Sequence, residues 1–215
     1  MKEAGESLGL SEQRVRALLR AGRIRGRKVG STWIVEGGAQ LAVPRPNGRP
    51  LGASNAWAIL ALLSGEDPRW VDPSVRSRLR RWITQRDIVR LLRESEPRSD
   101  IHRFRVLPGD LPKIKSHFPV VPSGLSVPES PLDLVPIGRS LDAYISDEVL
   151  VAIRDRFRPE VPSIAPNVVL RLPVQPWVLS FDAAPPPVVA ADLLNHDDPR
   201  VARAAVDVLE ALAGG

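Results

Sequence analysis

Arginine, lysine and glutamine side chains are concentrated near the N-terminus in an arrangement typical of DNA contacts. A predicted helix over residues 12–21 presents Gln13, Arg14 and Arg16 close to its start. Gln and Arg are the side chains that make bidentate hydrogen bonds to adenine and guanine edges in the major groove. We therefore expect base contacts from the exposed face of this helix, made by Gln13, Arg14, Arg16, Ala17 and Arg20.

A second basic group follows directly along the chain, in residues 23–35. The pattern there predicts two short strands joined around Val29, Gly30 and Ser31, with Trp33 anchoring the hairpin in a small core. Such a hairpin brings its basic side chains to the phosphates beside the groove. The expected backbone contacts are Arg23, Arg25, Arg27 and Lys28, with Ser31 in the turn.

Two short helices are predicted to position the base-reading residues. The first covers residues 3–8 and ends at Gly9, and the second begins after Ser11, a natural N-cap, and ends at Gly22. Val15, Leu18 and Leu19 share the face that packs on the first helix. Two helices joined by a three-residue turn containing Gly form the unit that docks in the major groove.

The charge is distributed as a DNA-binding module would require. Residues 1–50 hold 10 Lys/Arg against 4 Asp/Glu, residues 51–100 hold 9 against 7, and residues 101–215 hold 11 against 14. Basicity is thus concentrated in the N-terminal segment. The chain contains no Cys, which excludes disulfides and thiolate metal sites and suits a cytoplasmic location. No apolar run reaches the length of a membrane span, so no membrane partner is expected.

The N-terminal segment resembles the excisionase-type, MerR-like winged helix-turn-helix family. The runs Gly-Leu-Ser-Glu-Gln-Arg-Val, Ala-Gly-Arg-Ile and Lys-Val-Gly-Ser-Thr-Trp-Ile-Val carry the resemblance over about 35 residues. It implies a winged unit that binds double-stranded DNA. Because one such unit has a small footprint, two copies are implied on a repeated site, as in a homodimer.

The predicted organisation is an α+β chain with three parts. Residues 1–41 form the winged helix-turn-helix, residues 42–52 form a Pro-rich linker, and residues 53–215 form a second domain. That domain is helical over 53–98 and mixed α/β over 99–215. In the helical part, Ser54 and Asp72 are expected to cap two helices, and a third is expected to start at Thr84. Strands are expected at 102–106, 132–134, 143–145, 168–172 and 177–179. Helices are expected after Ser146, over 188–194, and after Asp198-Pro199, the last burying Leu212.

A search for catalytic motifs in the second domain finds none. The sequence has no phosphate-binding Gly-rich loop, no nucleophile elbow and no H-E-x-x-H pattern. His102, His117 and His196 lack metal-ligand spacing, and Asp198 is better explained as a helix cap before Pro199. We expect no enzyme activity, no cofactor and no metal. The arginines between residues 76 and 93 fit either an extended DNA footprint or a solvated surface.

A second resemblance extends over the C-terminal part. Its segments are Arg49-Pro-Leu, residues 56–65, Ser123-Gly-Leu-Ser126, Pro166-Asn-Val-Val-Leu-Arg171 and residues 185–200. In this order they resemble the C-terminal domain of AbiE-type antitoxins, which are repressors encoded beside a nucleotidyltransferase toxin. The resemblance implies a regulator that represses its own toxin–antitoxin operon, with that toxin as functional partner.

The alternative is an excisionase-like factor that bends DNA for a recombinase, although such factors are usually much shorter. An enzyme with a DNA-targeting arm ranks last.

Overall fold

The computed structural model describes residues 50–128, 140–159 and 166–214, and the backbone of two further strands at 26–29 and 32–35. The chain divides into two compact units, Met1–Arg49 and Pro50–Gly215. In the first unit, β1 (Gly26–Val29) pairs antiparallel with β2 (Thr32–Val35), and Val29 lies opposite Thr32. Two residues therefore connect the strands, as in a tight hairpin. The hairpin predicted around residues 29–31 is present, while the two helices predicted before it lie outside the described residues.

The second unit begins with three helices: α1 (Ala53–Leu63), α2 (Pro73–Gln85) and α3 (Ile88–Arg93). α1 is apolar on nearly every side, and its Trp57, Ile59 and Leu60 are fully buried. Two predicted helix starts are wrong. Ser54 lies inside α1, which begins after Gly52, and Thr84 lies inside α2. α3 is instead capped by Asp87, whose Oδ1 accepts a hydrogen bond from the Arg90 backbone N–H at 2.9 Å.

A four-stranded sheet follows, built from β3 (Ser99–Phe104), β4 (Val121–Pro122), β5 (Leu141–Tyr144) and β6 (Val168–Pro173). Its strand order is β3-β6-β5-β4, and only β5 and β6 run parallel. Helix α5 (Asp147–Phe157) connects these two parallel strands, as a parallel pair requires. A short helix, α4 (Leu111–His117), lies between β3 and β4 in the chain and was not predicted.

Three of the five predicted strands coincide with strands of the sheet. The strand at 168–172 is confirmed, 143–145 overlaps β5, and the strand expected at 102–106 begins earlier, at Ser99. The strand expected at 177–179 is wrong, because Pro176–Ser180 is a 3₁₀ helix. Pro176 has no backbone N–H for a ladder and its fixed φ suits a helical first turn. The strand expected at 132–134 lies outside the described residues.

Helices α6 (Pro186–Leu193) and α7 (Pro199–Gly214) complete the unit. Asp198 caps α7 as predicted, since its Oδ1 accepts from the Arg200 backbone N–H at 2.8 Å. Leu212 is 39% exposed, so its predicted burial is wrong. The described residues confirm an α+β chain with a mixed α/β second domain. None of the helices in the described part is both long and apolar enough to cross a membrane.

The sheet of the second unit lies between two apolar cores. One core joins Phe104, Leu141 and Leu170 of the sheet to Ile114 of α4 and Ile153 of α5. The other joins Tyr144 of the sheet to buried side chains of the remaining helices, among them Trp57, Leu79, Val188 and Leu209. Side chains alternate between the two faces of a strand, so successive residues of β5 and β6 enter different cores.

Candidate functional site

The predicted DNA contacts belong to the first unit, where the structure describes only the backbone of the hairpin. Arg27 and Lys28 lie on β1, opposite Ile34 and Trp33 of β2. Eight predicted contacts lie outside the described residues: Gln13, Arg14, Arg16, Ala17, Arg20, Arg23, Arg25 and Ser31. The geometry of the base-reading group therefore remains a prediction from the sequence.

The second unit contains a group of polar side chains enclosed between the sheet and the helices, which we call the buried charged cluster. β5 and β6 direct three polar side chains to the same face of the sheet, since Asp142 and Tyr144 alternate with buried Ala143 and Arg171 lies beside Tyr144 in register. Other elements supply the remaining members. The cluster consists of Arg98, Ser123, Asp142, Tyr144, Arg171 and Asp192.

Asp192 of α6 is the centre of this cluster. Its side chain is 1% exposed, and its oxygens accept hydrogen bonds from Arg98 Nη2 at 3.0 Å and Ser123 Oγ at 2.7 Å. The Tyr144 hydroxyl donates to the same carboxylate, 2.8 Å from Oδ2 and 2.9 Å from Oδ1. Arg171 Nε lies 3.8 Å from Oδ2. A buried carboxylate is tolerated when paired and hydrogen-bonded in this way.

The second carboxylate of the cluster, Asp142, forms a bidentate ion pair with Arg171. Nε and Nη2 of Arg171 donate to Oδ1 and Oδ2 of Asp142, both at 2.7 Å. Bidentate pairs of this kind are among the strongest protein hydrogen bonds. Each of the two carboxylates therefore faces a guanidinium, and the formal charges of the cluster balance.

Trp57 of α1 connects the cluster to the helical core. Its Nε1 donates to the backbone carbonyl of Arg98 at 2.8 Å, and its ring meets Tyr144 edge-on with centroids 5.5 Å apart. The Arg98 guanidinium lies 5.8 Å from the centroid of the same ring, within cation–π range. Arg98 is thus held by a carboxylate on one side and an aromatic ring on another.

Gly124 fits closely against the cluster. It begins the 3₁₀ helix Gly124–Ser126 with φ +53°, in the left-handed region that favours glycine. A Cβ at this position would lie 2.7 Å from Asp142 Oδ2. Because that oxygen is fixed by Arg171, it has little freedom to move aside. The Ser-Gly-Leu-Ser segment therefore requires glycine at its second position.

The enclosure shifts the pKa values of the cluster in opposite directions. Burial acts against ionisation of Asp192, but Arg171 and Arg98 outweigh it and hold the pKa of Asp192 below its ordinary value. For Asp142 burial prevails over the opposing effect of Arg171, and its pKa is raised. Burial and the neighbouring Asp192 charge raise the pKa of the Tyr144 phenol well above its ordinary value. Tyr144 therefore remains a neutral hydrogen-bond donor.

The buried charged cluster attaches the sheet to α6 through hydrogen bonds and ion pairs. Ser123 is fully buried, and its hydroxyl donates to Asp192 without facing a solvent-accessible space. The described residues contain no group of three or more His, Asp or Glu side chains that could hold a metal ion. An open depression of 370 Å³ lies elsewhere, beside the start of α2, lined in part by Arg69, Trp70 and Asp72.

The sequence did not predict the buried charged cluster, although several of its residues lie in segments that the sequence analysis singled out. Ser123, Arg171 and Asp192 all lie in the segments that resemble AbiE-type antitoxins, yet they are separated by up to 69 positions. Polar residues at alternate positions of an otherwise buried strand, as in Asp142 and Tyr144, were the available signal. No signal in the sequence connected them to Arg98.

Comparison with family models, with curated proteins and with solved structures finds no match to this chain.

Proposed function

We propose that the protein is a sequence-specific transcriptional regulator that binds double-stranded DNA through its first unit. The observation that supports this proposal is the hairpin β1–β2, which closes over two residues within the most basic segment of the sequence. A basic hairpin of this type functions as a wing that contacts the backbone beside a groove-binding helix. The predicted second helix, with Gln13 and Arg14 near its start, supplies the base contacts.

The test separates base reading from backbone contact in the full-length chain. Arg14→Ala should weaken binding to the protein's own promoter by about 1–3 kcal/mol and relax the preference at one base pair. Arg27→Ala should weaken binding to every sequence and reduce the slope of log K against log salt by about one. Titration of labelled cognate and random duplexes over a range of salt concentrations measures both effects.

The control for this test is removal of the whole module. Deleting residues 1–41 should abolish promoter binding in the same assay. Equal losses of Arg14→Ala and Arg27→Ala on cognate and random DNA would show that the helix over residues 12–21 does not read bases. Undiminished binding by the truncated chain would place the DNA-binding site outside the first unit.

We further propose that the second unit supplies the antitoxin function of a toxin–antitoxin operon that this regulator represses. Supporting this proposal, the last three of the five segments of the antitoxin resemblance meet in one place, since Ser123 and Arg171 both lie against Asp192. The three segments thus share one structural task, because their contacts fix the sheet against α6. The expected partner is a nucleotidyltransferase toxin encoded by the neighbouring gene.

Co-expression with the neighbouring gene tests this second proposal. Residues 50–215 form a compact unit with its own apolar cores, so this fragment is suitable for the experiment. It should restore growth to cells that express the toxin, while the promoter stays derepressed in a reporter assay. Growth rescue only by fragments containing residues 1–49, or a neighbouring gene that is not toxic, would refute the antitoxin proposal and leave the DNA-binding proposal unaffected.

A further inference from the structure

The exposed side of α2 carries positive charge without any acidic residue. The helix Pro73–Gln85 reads PSVRSRLRRWITQ, with four arginines and no Asp or Glu. Its buried side is set by Leu79, with Val75 and Ile83 half-buried on the same side. The opposite, solvent-facing side is formed by Ser74, Ser77, Arg78, Arg81, Thr84 and Gln85, and we call it the arginine face.

The arginines of α2 differ in their ion pairs. Arg76 Nη1 lies 2.7 Å from Asp67 Oδ2, and Arg80 Nη2 lies 3.7 Å from Asp67 Oδ1. Within the described part of the chain, Arg78 and Arg81 have no carboxylate at ion-pair distance. The positive charge of the arginine face is therefore available to an external partner.

Trp82 restricts the positions of the cations at one side of this face. The guanidinium of Arg78 lies 5.4 Å from the Trp82 ring centroid, and that of Arg86, just after the helix, lies 4.6 Å from it. Cation–π contacts hold both side chains over the half-buried ring. A preordered guanidinium loses less conformational entropy when it binds a ligand.

The composition of the arginine face distinguishes between possible partners. Protein interfaces have an apolar or aromatic centre, and this face exposes only Arg, Ser, Thr and Gln. All four residue types are among those that donate hydrogen bonds to phosphate oxygens in DNA complexes. Between residues 50 and 112 the chain has arginines but no lysine, and the planar fork of arginine matches phosphate in two-point contacts.

We infer that the arginine face of α2 is a second DNA-contacting surface, which binds the phosphate backbone of duplex DNA independently of base sequence. This inference rests on the proposed DNA-binding function and extends it to the second unit. The bound species is a duplex, since Ser, Thr and Gln on this face offer hydrogen bonds to backbone oxygens, and its one neighbouring aromatic ring, Trp82, is half-buried and covered by arginines, so it does not stack unpaired bases.

The experiment compares charge-removing variants of the full-length chain. Arg78→Gln/Arg81→Gln removes two cations while keeping side-chain length, and Arg78→Lys/Arg81→Lys keeps both charges. The matched control is Lys115→Gln/Arg156→Gln, which removes two exposed cations from α4 and α5. Binding to the promoter duplex is titrated over a range of salt concentrations. A duplex trimmed to the minimal site and a single-stranded RNA of equal length are measured in parallel.

On the untrimmed promoter duplex, the glutamine variant should reduce the slope of log K against log salt by about two. Each lost phosphate contact lowers this slope by about 0.9. The glutamine variant's preference for cognate over random DNA should stay unchanged. The lysine variant should retain the wild-type slope, and so should the control. If the slope of the glutamine variant is unchanged while the wild type binds its promoter normally, the arginine face does not contact DNA, and the proposed function of the first unit is unaffected. A wild-type chain that binds no duplex, or prefers the RNA, overturns the proposed function as well.

Discussion

Arginine side chains occupy two opposite environments in the second unit. In the buried charged cluster, Arg98 and Arg171 are 13% and 12% exposed, and each contacts a carboxylate. On the arginine face, Arg78 and Arg81 are exposed and have no acidic partner among the described residues. A buried guanidinium needs a compensating charge to be tolerated at all, whereas an exposed one is compensated by water until a ligand replaces it.

The difference indicates which charges specify the fold and which are available for binding. Removing a partner from the cluster leaves an uncompensated charge inside the protein. Removing an arginine from the arginine face leaves water where the side chain was. The following predictions test this contrast by measuring the free energy of unfolding of the full-length chain in urea.

The largest effect is expected from Asp192→Ala. Arg98 and Arg171 would lose the carboxylate they share, and the Ser123 and Tyr144 hydroxyls would lose their acceptor. Breaking a buried pair by removing one partner costs about 3–5 kcal/mol. Asp207→Ala, which breaks the exposed pair of Arg203 and Asp207 at 2.9 Å, is the control and should change little. Comparable losses in the two variants would contradict the assigned role of the cluster.

Gly124→Ala should destabilise the protein by roughly 2–4 kcal/mol, from a left-handed backbone and a clash with a fixed oxygen. Gly65 is the matched control, because it also has positive φ, +77°, but a Cβ there would meet no atom within 4 Å. Gly65→Ala should therefore cost only the backbone strain, about 1–2 kcal/mol. If both substitutions cost the same, the contact of Gly124 with Asp142 is unimportant for stability.

Tyr144→Phe removes one hydrogen bond to a buried carboxylate and should cost about 1.5–3 kcal/mol at neutral pH. The raised pKa of Tyr144 also predicts an alkaline effect. Its contribution to stability is complete below pH about 10, the ordinary phenol value, and decreases as the pH rises further, because only the unfolded chain then ionises.

Absorbance of the tyrosinate measures this alkaline effect directly, since Tyr144 is the only tyrosine of the chain. The native protein should show no tyrosinate signal at a pH where the urea-unfolded protein is largely ionised. A native titration curve that coincides with the unfolded one would mean that the phenol is accessible to solvent and not bound to Asp192.

The smallest effect on stability is expected from Arg78→Gln/Arg81→Gln. Substitutions of exposed side chains without a buried partner usually change the free energy of unfolding by no more than about 0.5 kcal/mol. The same variant is expected to change the salt dependence of DNA binding, so stability and binding should separate. A loss of stability as large as that of Asp192→Ala would show that the arginine face supports the fold, and the contrast between the two regions would fail.

The sequence by itself determined the positions of several helices and strands and the hairpin connection between β1 and β2. Apolar runs located α1 and β6, the Asp-Pro pairs located the starts of α2 and α7, and a basic segment with glycine at its centre located the hairpin β1–β2. These features depend on hydrophobic periodicity, proline geometry and turn chemistry, which act over a few residues. The acid-free composition of α2 is likewise a property of thirteen consecutive residues.

Only the tertiary structure decided which polar residues meet. Arg98 and Asp192 are 94 positions apart, and Tyr144 is 48 positions from the same carboxylate, so no local pattern connects them. Their contact follows from the strand order β3-β6-β5-β4 and from the packing of α6 on one face of the sheet. The segment at 177–179 likewise looks strand-like by composition but is helical, because Pro176 precedes it. Long-range electrostatic pairing depends on topology, and topology is not encoded in any single stretch of the chain.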